Sequence, residues 1–119
     1  LKREKDVAFT NHNTKDETEP KDLSSVGRKF DTGKVKYRLL SPYFIEGVGS
    51  ILTSGAEKYD EDNWLIVPDA RKRYTDALLR HVYDYLKGDK NDDETGKSHL
   101  LHAACNLMFL YEFDERGIE

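Results

Sequence analysis

Apolar residues recur at helical spacing in three blocks of the chain, and each block carries its own start and stop signals. In the first, Phe44, Val48, Ile51, Leu52 and Gly55 share one face of a 3.6-residue repeat. Ser41 is a good N-cap and Pro42 suits the first turn, so the pattern predicts a helix over 41–59. Gly47, Gly49 and Gly55 each cost about 1 kcal/mol against alanine inside a helix. That cost implies either close approach of a neighbouring backbone or a break near Gly55. The second block follows Pro68, with Asp69 as its cap, and predicts a helix over 70–87 ended by Gly88. Its expected core stripe is Tyr74, Leu78, Val82 and Tyr85, flanked by Leu79 and Leu86. The third block predicts a helix over 98–114. From Ser98 to Tyr111 it holds no Asp, Glu, Lys or Arg, so it is expected to be the buried central helix or to lie at a subunit interface.

These blocks make an all-α fold, a small bundle of about three main helices. Residues 1–26 are polar and charge-rich, with Val7, Ala8 and Phe9 as their only apolar cluster, and are read as a flexible or partner-packing arm. Residues 27–119 then form a single helical domain. Three helices make a thin core, and domains this small are marginal alone, so a homo-oligomer is expected. No run approaches the roughly 18 apolar residues of a membrane span. One cysteine, Cys105, cannot form an internal disulfide and fits a reducing compartment, so a cytoplasmic location is expected. A net charge of −4, from 19 basic and 23 acidic residues, argues against binding a nucleic-acid polymer. It leaves room for a nucleotide, because a few local cations suffice for phosphates.

The polar residues of the third helix stand out against its apolar background. His99, His102 and Asn106 lie at i, i+3 and i+7 on one face. Buried polar groups are costly unless paired. Two readings follow: a hydrogen-bonded stripe that ties helices together, or a wall facing a ligand or metal. His81 and Asp84 form a second i, i+3 pair, and the next loop supplies Asp89, Asp92, Asp93 and Glu94. A helical hairpin brings His81, Asp93, Glu94 and His99 together, and with His102 these are the expected metal ligands. Carboxylates suit Mg²⁺ or Mn²⁺, and imidazole shifts preference toward Mn²⁺ and other transition metals. The alternative for Asp89 and Asp92 is a solvated acidic loop. An EF-hand fails, because Glu94 and Leu100 occupy the positions that need glycine and glutamate.

Two further segments carry candidate ligand contacts. The run GRKFDTGK from Gly27 resembles a phosphate loop but misses the P-loop spacing, and Val35 replaces the Ser/Thr. Lys34 and Lys36 can still meet phosphates as point charges, or simply balance nearby acids on the surface. In GAEKYDEDNW, Glu57 is a candidate acid or base, Lys58 a phosphate contact, and Tyr59 and Trp64 candidate stacking surfaces for a base. Trp64 reads equally as a core plug beneath the turn, and Asn63 as a turn cap. No nucleophile constellation is present, and Cys105 reads as a small core residue.

With these residues in view, the sequence resembles a phage-associated family of dATP/dGTP diphosphohydrolase N-terminal domains. The resemblance rests on GRKFDTGK, GAEKYDEDNW, RYTDALLRHVYDYLKGD and DDETGKSHLLHAACNLMF, in order, and covers about Gly27 to Phe113. It implies kinship to the MazG-like, all-α nucleoside triphosphate pyrophosphohydrolases, which cleave between α- and β-phosphates and assemble as dimers or tetramers. It also implies a phage protein acting in a prokaryotic host cell. In those relatives a divalent ion, usually Mg²⁺, is held by an ExxE on one helix and an ExxD on a later one. This chain departs from that pattern: His99-Leu-Leu-His102 stands in place of the ExxD, and Glu46 and Glu57 form no ExxE.

The combined expectation is a metal-dependent enzyme acting on (deoxy)purine nucleoside triphosphates and releasing monophosphate and pyrophosphate. Glu57, Glu94 or His99 would serve in proton transfer. Lys34, Lys36, Lys58, Tyr59, Asn63, Trp64 and Asn106 would hold the nucleotide. The alternative is a module that binds or sequesters the nucleotide without cleaving it.

Overall fold

In a computed structural model, the structure describes residues 26–119. The arm expected over 1–26 therefore lies, apart from Val26, outside the described residues. Two units are treated separately: residues up to Leu39, and Leu40–Glu119. In the first, Lys34 N–H donates to the Asp31 carbonyl across a turn that Gly33 permits with φ of 84°. A short 3-10 helix, Tyr37–Leu39, follows.

The second unit contains the three predicted helices: α1 (Pro42–Lys58), α2 (Ala70–Leu86) and α3 (His99–Arg116). The all-α expectation holds, with boundaries shifted by one or two residues. Ser41 caps α1, its side chain accepting from the Phe44 N–H, and Pro42 opens the helix. Ser98 caps α3 in the same way, accepting from the Leu100 N–H. Asp69 is a correction. It stands at the N-cap of α2 but adopts a left-handed backbone, φ 57°, and its side chain makes no cap bond. Gly88, at φ 97°, ends α2: its N–H bonds to the Tyr85 carbonyl and the Asp89 N–H to that of Asp84. This paired reverse turn satisfies the orphan carbonyls of the helix end. An equivalent turn at Gly117 ends α3, two residues later than the pattern implied.

α3 packs against both α1 and α2, which makes it central as expected. Its pairing with α2 is antiparallel, with Tyr74 against Phe109 and Phe113 at one end and His81 against His99 and His102 at the other. The predicted α2 stripe holds for Tyr74, Leu78 and Val82, which are half-buried, but Leu79, Tyr85 and Leu86 are exposed. Tyr85 and Leu86 fall in the last turn of α2, past the His81–His99 contact, where α3 covers them less. Among the described residues the buried apolar ones are Ala103, Cys105 and Phe113, all on α3. Leu107 and Tyr111 on the same helix stay more than half exposed, at 56% and 63%. No helix among the described residues is long and apolar enough to cross a membrane.

The glycines of α1 differ in role. A Cβ on Gly47 would fall 2.5 Å from Leu101 Cδ1, so this position lets α1 and α3 approach closely. Gly49 and Gly55 face open space, and α1 continues without a break to Lys58. Gly49→Ala should therefore raise stability by about 1 kcal/mol, the helix-propensity difference alone. Gly47→Ala should lose that gain and more to overpacking, typically about 1–3 kcal/mol. Denaturant midpoints of the two variants, compared with the parent chain, check the opposite signs.

Candidate functional site

The loop between α2 and α3 is folded back on itself by backbone bonds. The His99 N–H donates to the Lys90 carbonyl at 2.9 Å, the Asp92 N–H to that of Lys97 at 2.8 Å, and Asn91 and Ser98 form an isolated antiparallel bridge. The tip is an Asx turn, in which Asp92 Oδ2 accepts from the Thr95 N–H at 3.0 Å and from its hydroxyl at 3.2 Å. These bonds turn Asp89 and Asp92 toward the histidines and leave Asp93 and Glu94 exposed outside. Glu94 pairs instead with Lys58 at the end of α1, at 3.3 Å.

His99, on the first turn of α3, is only 3% exposed. Its Nδ1 lies 2.8 Å from Nδ1 of His81, and its Nε2 lies 3.3 Å from Asp89 Oδ2 and 4.0 Å from Asp84 Oδ2. The ring of His81 stacks on that of His102 at 4.7 Å and 11°. His102 Nε2 in turn meets the Thr95 hydroxyl at 2.7 Å and lies 4.0 Å from Asp92 Oδ2. Donor atoms of His81, Asp92 and His99 all fall within 4.8 Å of one another, close enough to share one cation. The hairpin thus joins His81, His99 and His102 as the sequence implied, but the carboxylate among them is Asp92, with Asp89 behind His99.

Burial is the main cause that holds both His81 and His102 below the ordinary histidine pKa. For His81 the neighbouring imidazoles add to the lowering, and for His102 Asp92 opposes it. Asp92 is affected most by its own desolvation, which raises it, but the Thr95 hydrogen bonds and His102 outweigh this and leave it below the usual carboxylate value.

Beside this cluster lies a cleft of about 1050 Å³, bounded by the end of α1, the segment 59–68, α2 and α3. Ligand cavities typically run to about 1,000 Å³, so it has room for a nucleotide. Of the residues singled out from sequence, Tyr59, Asn63, Trp64, His102 and Asn106 line it. Asn106 is 7% exposed and donates to the His102 carbonyl of its own helix. Trp64 borders the cleft and also acts as the core plug, stacking on Phe109 at 4.6 Å with Phe113 at 5.7 Å. Its carbonyl accepts the Tyr74 hydroxyl at 2.9 Å. Glu57 and Lys58 are exposed at the end of α1 and do not border the cleft, and Lys34 and Lys36 are exposed residues of the other unit.

Sequence reading missed Arg73, Asp76 and Arg80, which line the cleft from one face of α2 at i, i+3 and i+7. That spacing was the available signal, but nothing in it told a cleft wall from a solvated face. Asp60, Glu61 and Asp62 form the opposite rim. Asp60 and Asp62 hold positive φ values of 133° and 61°, a conformation that side-chain-bearing residues adopt only at a cost.

Two neutral-biased histidines carry a sign for pH dependence. Their folded pKa values lie below the ordinary 6.5, so the unfolded chain takes up protons first as pH falls. Their contribution to stability is full above that value and is lost on acidification through it. Thermal midpoints measured from about pH 7.5 down to about pH 5.5 should fall, and His102→Gln should flatten the slope.

Residues 24–119 match the family described as dATP/dGTP diphosphohydrolase, N-terminal. A dATP/dGTP diphosphohydrolase of Salmonella phage PMBT28 is 42% identical over 85 residues, covering 71% of this chain and 29% of that protein. The chain thus spans less than a third of the length of this curated relative. No solved structure matches it.

Proposed function

Because the chain belongs to the dATP/dGTP diphosphohydrolase N-terminal family, we propose that it is a metal-dependent nucleoside triphosphate pyrophosphohydrolase of (deoxy)purine nucleotides, releasing monophosphate and pyrophosphate. The observation that carries this reading is the cleft itself, which is lined by two arginines, four aromatic rings and a histidine of the His–Asp cluster. Arg73 and Arg80 take the phosphates, since a guanidinium fork matches phosphate oxygens in pairs. Tyr59 and Trp64 offer faces to the purine, and Asn63 and Asn106 supply hydrogen bonds to it or to the sugar. Lys58, at the end of α1, is left as an outer phosphate contact.

The rim carboxylates Asp60, Glu61 and Asp62 repel a free triphosphate, which favours entry of the nucleotide with a divalent cation, Mg²⁺ or Mn²⁺. The His–Asp donor set also fits a divalent ion, with His81, His99 and Asp92 as its ligands and His102 between it and the cleft. Bound there, such an ion would supply Lewis-acid stabilisation of the charge that develops on the phosphates. His102, held neutral by burial, is able to accept a proton from the attacking water. Glu57 is exposed outside the cleft and Glu94 is paired with Lys58, which leaves His102 as the favoured base.

The test is product analysis with the purified chain, dATP, dGTP and the pyrimidine nucleotides, with Mg²⁺ or Mn²⁺ present. Monophosphate and pyrophosphate are the expected products. Arg80→Ala should raise KM by about 10- to 100-fold, the value of a charge-assisted bond to phosphate. His102→Gln should instead lower kcat by about 100-fold or more. Tight nucleotide binding without product would make the chain a sequestering module, and absence of binding would overturn the reading.

A homo-oligomer belongs to the same proposal. Leu107 and Tyr111 on α3, with Leu79 and Tyr83 on α2, leave apolar surface exposed on a domain with a thin core. Sedimentation equilibrium should give a dimer or tetramer, and Tyr111→Glu should shift it toward monomer.

A further inference from the structure

Building on that reading, we infer that His81, Asp92 and His99 form a transition-metal site that prefers Mn²⁺ or Zn²⁺ to Mg²⁺, with Asp89 acting as the residue that fixes the ring of His99 for ligation.

The first support is the donor set. Two imidazole nitrogens and one carboxylate oxygen lie within 4.8 Å of one another. Mg²⁺ binds oxygen donors in near-ideal octahedra and retains its waters, whereas imidazole suits borderline ions such as zinc. The carboxylates that would tilt the site toward Mg²⁺ are turned away: Glu94 is engaged by Lys58, and Asp93 is exposed.

The second support is the proton arrangement. Asp89 and Asp84 are acceptors only, so the hydrogen of His99 belongs on Nε2, which faces them at 3.3 and 4.0 Å. Its Nδ1 is then a lone pair aimed at His81. The 2.8 Å contact between the two Nδ1 atoms requires that His81 carry the bridging hydrogen. A bound cation takes the place of that hydrogen, which returns to His81 Nε2 or to solvent, and both lone pairs then meet the ion. Carboxylate behind imidazole is the usual support of a ligating histidine.

The third support is rigidity. His81 and His99 sit on packed helices, and Asp92 is held by two bonds from Thr95 to a single oxygen, Oδ2, leaving Oδ1 unclaimed by that turn. Asp89 is set in place by the reverse turn at Gly88. A ligand set held this firmly loses little entropy on binding.

The experiment is calorimetric titration of the chelator-treated full chain with Mn²⁺, Zn²⁺ and Mg²⁺, in the absence of nucleotide, alongside visible absorption with Co²⁺ as a probe. One Mn²⁺ or Zn²⁺ per chain is expected, with Mg²⁺ weaker by about 100-fold or more. His99→Gln and Asp92→Asn should each abolish the Co²⁺ spectrum. Asp89→Ala should weaken binding by about 10- to 100-fold. Helicity by circular dichroism is measured for each variant, and if His99→Gln unfolds, the two aspartate variants decide. Affinity undiminished in the folded variants, equal affinity for Mg²⁺, or no binding at all would overturn the inference. Nucleotide turnover is scored separately. Turnover with Mg²⁺ by a chain that fails the metal titration removes the transition-metal site and keeps the pyrophosphohydrolase. Metal binding by a chain that neither binds nor cleaves nucleotides does the reverse.

Discussion

A buried imidazole must be paired, and His99 imposes that requirement on the whole α2–α3 hairpin. It sits at the start of a helix segment with no charged side chain, almost wholly out of solvent. Leaving a buried polar group unsatisfied costs about 1–3 kcal/mol, a sizeable part of the stability of so small a domain. The chain meets the requirement from two directions. α2 brings His81 to one ring nitrogen, and the reverse turn at Gly88 brings Asp89 to the other. The antiparallel alignment of the helices, the fold-back of the loop and the inward turn of Asp92 are all compatible with this pairing and stabilise it.

A second anchor works at the opposite end of the hairpin. Trp64, Tyr74, Phe109 and Phe113 form an aromatic group that fastens the segment after α1 to the α2–α3 pair. Between the aromatic group and the histidines the helices leave the cleft. One wall is therefore held by dispersion and stacking and the other by a polar network. The strained aspartates lie between Tyr59 and Trp64, where the chain bends sharply to reach its anchor.

The helices were legible because each boundary has a chemical marker: Ser41 and Pro42, Gly88, and Ser98. The meeting of His81 with His99 was legible too, since the loop from Lys87 to Ser98 joins the end of α2 to the start of α3 and lets the two pair as a hairpin. Which acid joins them was not. Asp92, Asp93 and Glu94 are adjacent, and the choice falls to an Asx turn that depends on Thr95 three residues on. Arg73 and Arg80 were hidden for another reason. A face of α2 becomes a cleft wall only when Trp64 has pinned the opposite segment, and that contact joins residues about 45 positions apart in sequence. The exposure of Tyr85 and Leu86 reflects how little α3 covers the last turn of α2, which a stripe read along one helix does not contain.

Cys105 lies on α3 between the two anchors, with its sulfur 3.8 Å from the Val48 carbonyl of α1. Burial raises its thiol to about 11, so almost none is ionised at neutral pH. The residue also borders the cleft, so an alkylating reagent reaches its sulfur only when the packing of α1 and α3 at that border loosens. The chain thus carries a native reporter of that loosening: its labelling rate, with and without nucleotide, reads how often the border of the cleft breathes and whether an occupant shields it.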